Sequence, residues 1–220
     1  MRFFGAGGKM GFGRGSSLSE TFYIGGNFQS ASYEDDIGFI VSNRIAKWNG
    51  TQWISGFGSG MNNIVRTLVF DSSGNLYAGG RFTTANGTTS NRIAKWNTTS
   101  EAWEYPFGSG MNNIVRALAF DSNDNLYVGG TFTTANGTAS NRIAKWNTTS
   151  EAWEYPFGSG LNNTVLVFAF DSSGNLYVGG IFVTAGGIDA LRTAKWNGSS
   201  WEKWIDVDTT VHAIAITDPK

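Results

Sequence analysis

The chain has no cysteine, a single histidine (His212) and three prolines among 220 residues, and only 15% of it is charged. Without cysteine there are no disulfides and no thiolate metal sites, so the fold is indifferent to redox compartment and must be held by packing. One histidine leaves no acid–base pair, and the many serines have no nucleophile elbow and no second histidine to activate them. No catalytic residue, metal or cofactor is expected, and the protein is read as a non-enzyme. A formal net charge of −1 gives no reason to expect a broadly basic nucleic-acid surface or a polybasic membrane patch, local clusters aside, and nucleic acid is not an expected partner. No apolar run is long enough to insert in a membrane, and residues 1–17 lack the apolar stretch of a signal peptide, so folding in the cytoplasm without a signal is expected. Alanine, leucine, glutamate and lysine are too sparse for a helical array.

What is abundant is glycine, with 30 residues, and aromatics, at 15%. That composition suits many short strands joined by tight turns. Residues 61–110 are repeated in residues 111–160 with seven differences: Thr67/Ala117, Val69/Ala119, Ser73/Asn123, Gly74/Asp124, Ala78/Val128, Arg81/Thr131 and Thr89/Ala139. A repeat of this length makes the unit, rather than the chain, the thing to fold.

Within a unit, Val65, Thr67 and Val69 alternate with Arg66, Leu68 and Phe70, the period of a strand. Asp71-Ser72-Ser73-Gly74-Asn75 is turn chemistry and predicts a hairpin to a second strand over Leu76–Phe82. Ala85-Asn86-Gly87-Thr88 marks a turn before a third strand, Asn91–Asn97, and Asn97-Thr98-Thr99-Ser100 a turn before a fourth, Ala102–Phe107. Each unit is thus a four-stranded antiparallel meander with apolar residues on both faces, which stacking sheet on sheet would bury. A first unit begins one strand late, at Thr21, and carries an insertion around Tyr33-Glu34-Asp35-Asp36; a fourth runs from Leu161 to Trp204. Val211 to Ile216 then matches Val115 to Phe120, the first strand of a unit. The expected fold is an all-β, four-bladed β-propeller of four-stranded antiparallel blades, its ring closed by the C-terminal strand completing the first blade. The expected limits are an arm over 1–17 and a propeller over 18–220, with blade 1 at 21–57 plus 211–216, blade 2 at 61–107, blade 3 at 111–157 and blade 4 at 161–204.

The double glycine ending the second strand, followed by Trp96 with Trp103 and Trp146 with Trp153, resembles the kelch repeat of β-propellers. The wording NRIAKWN followed by a turn, Trp and GSGMNN also looks like repeats of bacterial and phage surface proteins, and the Gly/Phe-rich start resembles the anchoring arms of tailed-phage virion proteins. These resemblances imply a structural or binding propeller, a virion component such as a phage tail, fibre or capsid-attached protein, or another surface component that contacts a protein or receptor. Its arm, with Phe3, Phe4, Met10 and Phe12, would dock on protein partners in a larger assembly, and its place of use would be the virion or the extracellular space. The second reading is a soluble lectin-like propeller with one weak site per blade for a cell-surface glycan, using Asn86, Thr88, Asn136, Thr138, Trp103 and Trp153, where repetition supplies avidity.

Three repeated features have bland readings beside the functional ones. His212 stands where other units have Arg66 or Arg116, the place of a strand residue. Asp71, Asp121 and Asp171 read as turn caps rather than calcium ligands, since the distal Glu and turn Gly of an EF-hand loop are missing. Arg44, Arg92, Arg142 and Arg192 form a fourfold set, placed by alternation on the face of Trp96 and read as a structural ladder with the option of anion sites.

Overall fold

A computed structural model describes residues 20–32 and 39–217. Every regular element among them is a strand. The first unit gives β1 (Phe22–Gly25), β2 (Ser30–Ser32), β3 (Phe39–Val41), β4 (Ile45–Trp48) and β5 (Trp53–Ile54). The second gives β6 (Val65–Phe70), β7 (Leu76–Gly80), β8 (Thr84–Ala85), β9 (Thr88–Thr89), β10 (Ile93–Asn97) and β11 (Ala102–Glu104). The third gives β12 (Val115–Phe120), β13 (Leu126–Gly130), β14 (Thr134–Ala135), β15 (Thr138–Ala139), β16 (Ile143–Asn147) and β17 (Ala152–Glu154). The fourth gives β18 (Val165–Phe170), β19 (Leu176–Gly180), β20 (Thr184–Ala185), β21 (Ile188–Asp189), β22 (Thr193–Trp196) and β23 (Trp201–Lys203).

Units two, three and four each form an antiparallel sheet in the order first, second, third, fourth strand, as in β6-β7-β10-β11, and the first unit forms β1-β4-β5. The four sheets are the expected blades. The first strands of neighbouring blades lie side by side, β6 against β12 and β12 against β18, which makes them the inner strands of the arrangement. Up-and-down connection then puts the turns at 71–75 and 97–101 at one end of blade 2, and the β8–β9 hairpin at the other.

Burial explains why the sheets stack. One apolar cluster joins Ile45, Phe57 and Met61 to Leu76, Phe82 and Trp96; a second joins Tyr77 and Ile93 to Leu126 and Trp146; a third joins Tyr127 and Ile143 to Leu176 and Trp196. Each draws on two successive units, so the core lies between blades and no unit has one of its own. The double glycine allows this closeness. A Cβ on Gly79 would meet Val115 Cγ1 of the next blade at 2.5 Å, and one on Gly80 would meet the Ile64 carbonyl oxygen at 2.1 Å.

Several strand expectations need correction. The alternation of β6 is interrupted, because Val65 lies opposite Gly80 but Thr67 opposite Gly79, leaving Arg66 as the extra residue of a β-bulge; Arg116 and Leu166 are bulged in the same way. The second strand ends at Gly80, with Phe82 fully buried beyond it, and the third begins at Ile93. Arg92 therefore precedes its strand, with φ at 69°, as Arg44, Arg142 and Arg192 have φ between 67° and 69°. The fourth strand stops at Glu104, and Phe107 lies in the following link, where it seats in the next blade.

The C-terminal segment occupies the inner-strand position beside blade 4. Val211 N–H donates to the Gly180 carbonyl at 3.2 Å, as Val65 N–H donates to Gly26, and a Cβ on Gly179 would meet Val211 Cγ1 at 2.7 Å. Among the described residues no ladder joins this segment to β1, so the first blade has three paired strands where the sequence led us to expect four.

Candidate functional site

The polar side chains of the repeat are used mainly on the repeat itself. Asn49, Asn97, Asn147 and Asn197 accept backbone N–H bonds within the turns that follow the third strands, as Asn97 Oδ1 does from Thr99 and Ser100 at 3.0 Å. Asp71 Oδ1 accepts from Asn75 N–H at 2.7 Å, and Asp121 and Asp171 from Asn125 and Asn175 at 2.9 Å, which is the Asx-turn role. The Asn175 amide, with help from Ser173 N–H and the Tyr177 hydroxyl, holds the Asp171 carboxyl below its usual pKa. Burial, reinforced by Asp71 or Asp121, pushes the Tyr77 and Tyr127 phenols well above theirs.

The same economy joins blades. Asn86 takes a left-handed φ of 47°, donates its N–H to Gly60 at 2.8 Å, and accepts at Oδ1 from Ser59 N–H at 3.0 Å. Asn136 does this with Gly110 and Ser109. Trp103 and Trp153 are half-buried, and their Nε1–H groups donate to Phe57 and Phe107 carbonyls at 3.2 and 3.3 Å. Phe57 and Phe107 belong to the preceding links and lie against Trp96 and Trp146 at 4.8 and 5.1 Å. Of the six residues expected to meet a glycan, Asn86 and Asn136 have their carboxamide oxygens, and Trp103 and Trp153 their indole N–H groups, directed to backbone, while Thr88 and Thr138 stand exposed in β9 and β15. The aromatics exposed on this rim are Tyr105 and Tyr155, whose hydroxyls donate to Ala85 and Ala135. Phe3, Phe4, Met10 and Phe12 lie outside the described residues.

A cavity of about 210 Å³ opens between blades 2 and 3, lined in part by Asp71, Tyr77, Lys95, Asp124 and Glu151. Its charges are largely engaged. Lys95 pairs with Glu104 at 2.8 Å, which holds the Glu104 carboxyl below its usual pKa, and both Asp124 oxygens accept from Ser72, at N and Oγ, across the blade boundary. No group of three metal-ligating side chains occurs among the described residues. Of the fourfold arginines, Arg44, Arg142 and Arg192 turn to backbone, donating Nη1–H to the Met61, Phe132 and Ile181 carbonyls.

Two features lie outside this internal bonding, both at the hairpin end. In blade 4, Ile181, Val183 and Ile188 are 37%, 41% and 38% exposed. They occupy the positions of Arg81, Thr83 and Thr88 in blade 2 and Thr131, Thr133 and Thr138 in blade 3. Across blades 2 and 3, Arg66 and Arg81 lie near enough to Arg116 to act on its charge, and among the described residues no ion pair joins any of the three to a carboxylate. The aliphatic exchange in blade 4 and Arg81, one of the seven differences between the middle units, were legible as departures from the repeat, but the exposure of the aliphatic residues and the nearness of Arg81 to Arg66 and Arg116 were not.

Repeated antiparallel sheets joined face to face, with inner strands side by side and apolar clusters between them, define the molecule as a β-propeller. The family model of the Rax2 C-terminal beta propeller domain matches residues 51–166 and, in an overlapping second placement, 105–219. The chain belongs to that family. No curated protein matches it in sequence. Among solved structures, the mitotic checkpoint complex contains a chain 18% identical, covering 76% of this chain and 48% of its own length at a TM-score of 0.50. The extracellular domain of a hybrid two-component system from B. thetaiotaomicron is 17% identical, covering 92% and 23% at 0.54, and the WD40 propeller of Doa1 is 13% identical, covering 74% and 44% at 0.45. At these identities the likeness concerns fold, and the chain spans less than half the length of each. Neither the kelch repeat nor a phage surface protein is among these matches. No helix among the described residues is long and apolar enough to cross a membrane.

Proposed function

We propose that the protein is a non-enzymatic binding propeller that engages a protein partner through the hairpin end of its blades, with blade 4 as the principal contact. The observation that carries this reading is the exchange of polar for aliphatic side chains at three positions of one loop, giving exposed Ile181, Val183 and Ile188 where the other complete blades have Arg or Thr. The three side chains are exposed at the surface of the loop, so the exchange does not serve to fill the core. Exposed aliphatic groups clustered on a rigid rim gain by being covered, and a protein surface supplies that cover.

At the scale of an assembly, the proposal keeps a virion or cell-surface setting, with residues 1–17 as the anchor and residues 211–216 completing blade 1. The lectin reading is weaker, since the carboxamide oxygens of Asn86 and Asn136 and the indole N–H groups of Trp103 and Trp153 are taken by backbone.

The test replaces Ile181, Val183 and Ile188 together by Arg, Thr and Thr, residues that blade 2 already carries, and uses proximity labelling in the native host. A partner labelled by the wild-type chain should be lost from the triple variant and kept when Thr133 and Thr138 of blade 3 are exchanged for Ala. Equal labelling by the wild type and the triple variant would remove blade 4 from the reading. Saturable binding of a saccharide that survives the triple exchange would favour the lectin instead.

A further inference from the structure

We propose that Arg66, Arg81 and Arg116 form an anion site at the hairpin end of the inner strands of blades 2 and 3, suited to a phosphate group. Arg66 and Arg116 are the bulged residues of β6 and β12, two inner strands that lie side by side. A bulge re-aims the side chain it carries and recurs next to functional sites. Arg81 enters from the second strand. Its predecessor Gly80 lies opposite Val65, and its own N–H donates to the Ile64 carbonyl at 2.8 Å, which brings it beside Arg66 at the start of β6.

Three fixed positive charges close together repel one another. Burial, with the charges of Arg66 and Arg81 adding to it, lowers the pKa of Arg116 from the ordinary guanidinium value. Repulsion of this kind is normally offset by a carboxylate, yet the ion pairs among the described residues all involve lysines, and none reaches these arginines. Arg116 is half-buried, and its Nε–H is buried without a hydrogen-bond partner. That combination leaves a donor without a partner and, among the described residues, charges without a counter-ion, and an anion supplies what both lack.

The cluster is also particular to this boundary. Blade 4 has Leu166 at the bulge and Ile181 at the Arg81 position, and blade 3 has Thr131 there, so the arginines are not needed to build a blade. A phosphate is favoured over a carboxylate because its several oxygens and higher charge can meet guanidinium groups arriving from two blades, whereas a carboxylate's two oxygens are matched by one guanidinium fork. The site differs from the aliphatic patch of blade 4 in residues and in ligand chemistry, so either can fail without the other.

The test titrates the full chain with inorganic phosphate, and in parallel with succinate, by calorimetry at matched ionic strength. Arg81→Thr and Arg116→Leu are the variants, since blades 3 and 4 already carry those residues at the equivalent positions. The wild-type chain should bind phosphate saturably, each substitution should weaken binding about tenfold, and the double variant should lose it. In chloride alone, Arg81→Thr should be at least as stable to heat as the wild type, because a like charge has been removed. Absence of saturable phosphate binding, equal binding by the double variant, or succinate bound as tightly as phosphate would each overturn the proposal. So would a lower melting temperature of Arg81→Thr in chloride, which would show that the guanidinium is bonded within the protein.

Discussion

Asn86 concentrates what one residue does in this protein. A side chain at φ 47° is strained unless its own polar group bonds locally, and here the carboxamide oxygen accepts from Ser59 of the preceding unit while the backbone N–H reaches Gly60. Asn86→Ala should therefore destabilise the fold by about 1–3 kcal/mol, combining a left-handed alanine with a lost bond. Asn86→Gly should cost less, because Gly186 stands at the same place in blade 4 and keeps the N–H bond, to Gly160. Urea unfolding of the two variants and the wild type checks the order; an alanine variant as stable as the glycine one would mean that the left-handed strain is negligible, and a glycine variant as stable as the wild type that the Ser59 bond is. The Asn-Gly dipeptide announced a turn in the sequence, but its partner could not be read there. Ser59 is 27 residues away, across a blade boundary.

At the scale of elements, the link between blades matters as much as the strands. The sequence pattern placed Phe107 at the end of a fourth strand, since aromatic and β-branched residues look alike in either setting. In the structure the strand ends at Glu104, and Phe107, 3% exposed, packs between Trp146 and Trp153 of the following blade, as Phe57 does between Trp96 and Trp103. Phe107→Ala should destabilise by about 3–5 kcal/mol, the range for emptying a buried aromatic site. Because neighbouring repeats share their interfaces, the loss should uncouple blades 2 and 3 and broaden the unfolding transition. A loss under about 1 kcal/mol with an unchanged transition slope would show that the wedge is dispensable. Blade 4 is followed by no such phenylalanine; Trp204 packs on Tyr177 at 4.7 Å, and Ile205 is 51% exposed.

At the scale of the whole molecule, closure is decided at the seam between the first and fourth blades. The segment from Val211 has its blade 4 contacts, while β1 has no partner on its inner side among the described residues. By the register that sets Leu68 opposite Ala78, Ile214 would lie opposite Ile24 if the segment completed the first blade. The chain has no cysteine, so Ile24→Cys with Ile214→Cys gives an unambiguous reporter. Closure within one chain should yield an oxidised monomer, detected by mass and by altered mobility without reductant. A disulfide-linked dimer would indicate exchange of end strands between chains, and persistently free thiols would contradict completion of the blade altogether.

The sequence alone determined the repeating meander, the all-β class, the number of units and the Asx-turn role of Asp71, Asp121 and Asp171, because each rests on residues close in the chain: period-two alternation, turn dipeptides and short-range caps. It also marked Arg81 as a departure from its repeat. Only the tertiary structure decided that Arg66 and Arg116 are the bulged residues of adjoining strands, that Asn86 and Trp103 serve the neighbouring blade, and that Ile181, Val183 and Ile188 are exposed. The reason is physical. The core of this fold lies between units, so the fate of a side chain depends on what the adjacent blade brings to it, and a sequence period carries no distance across that gap.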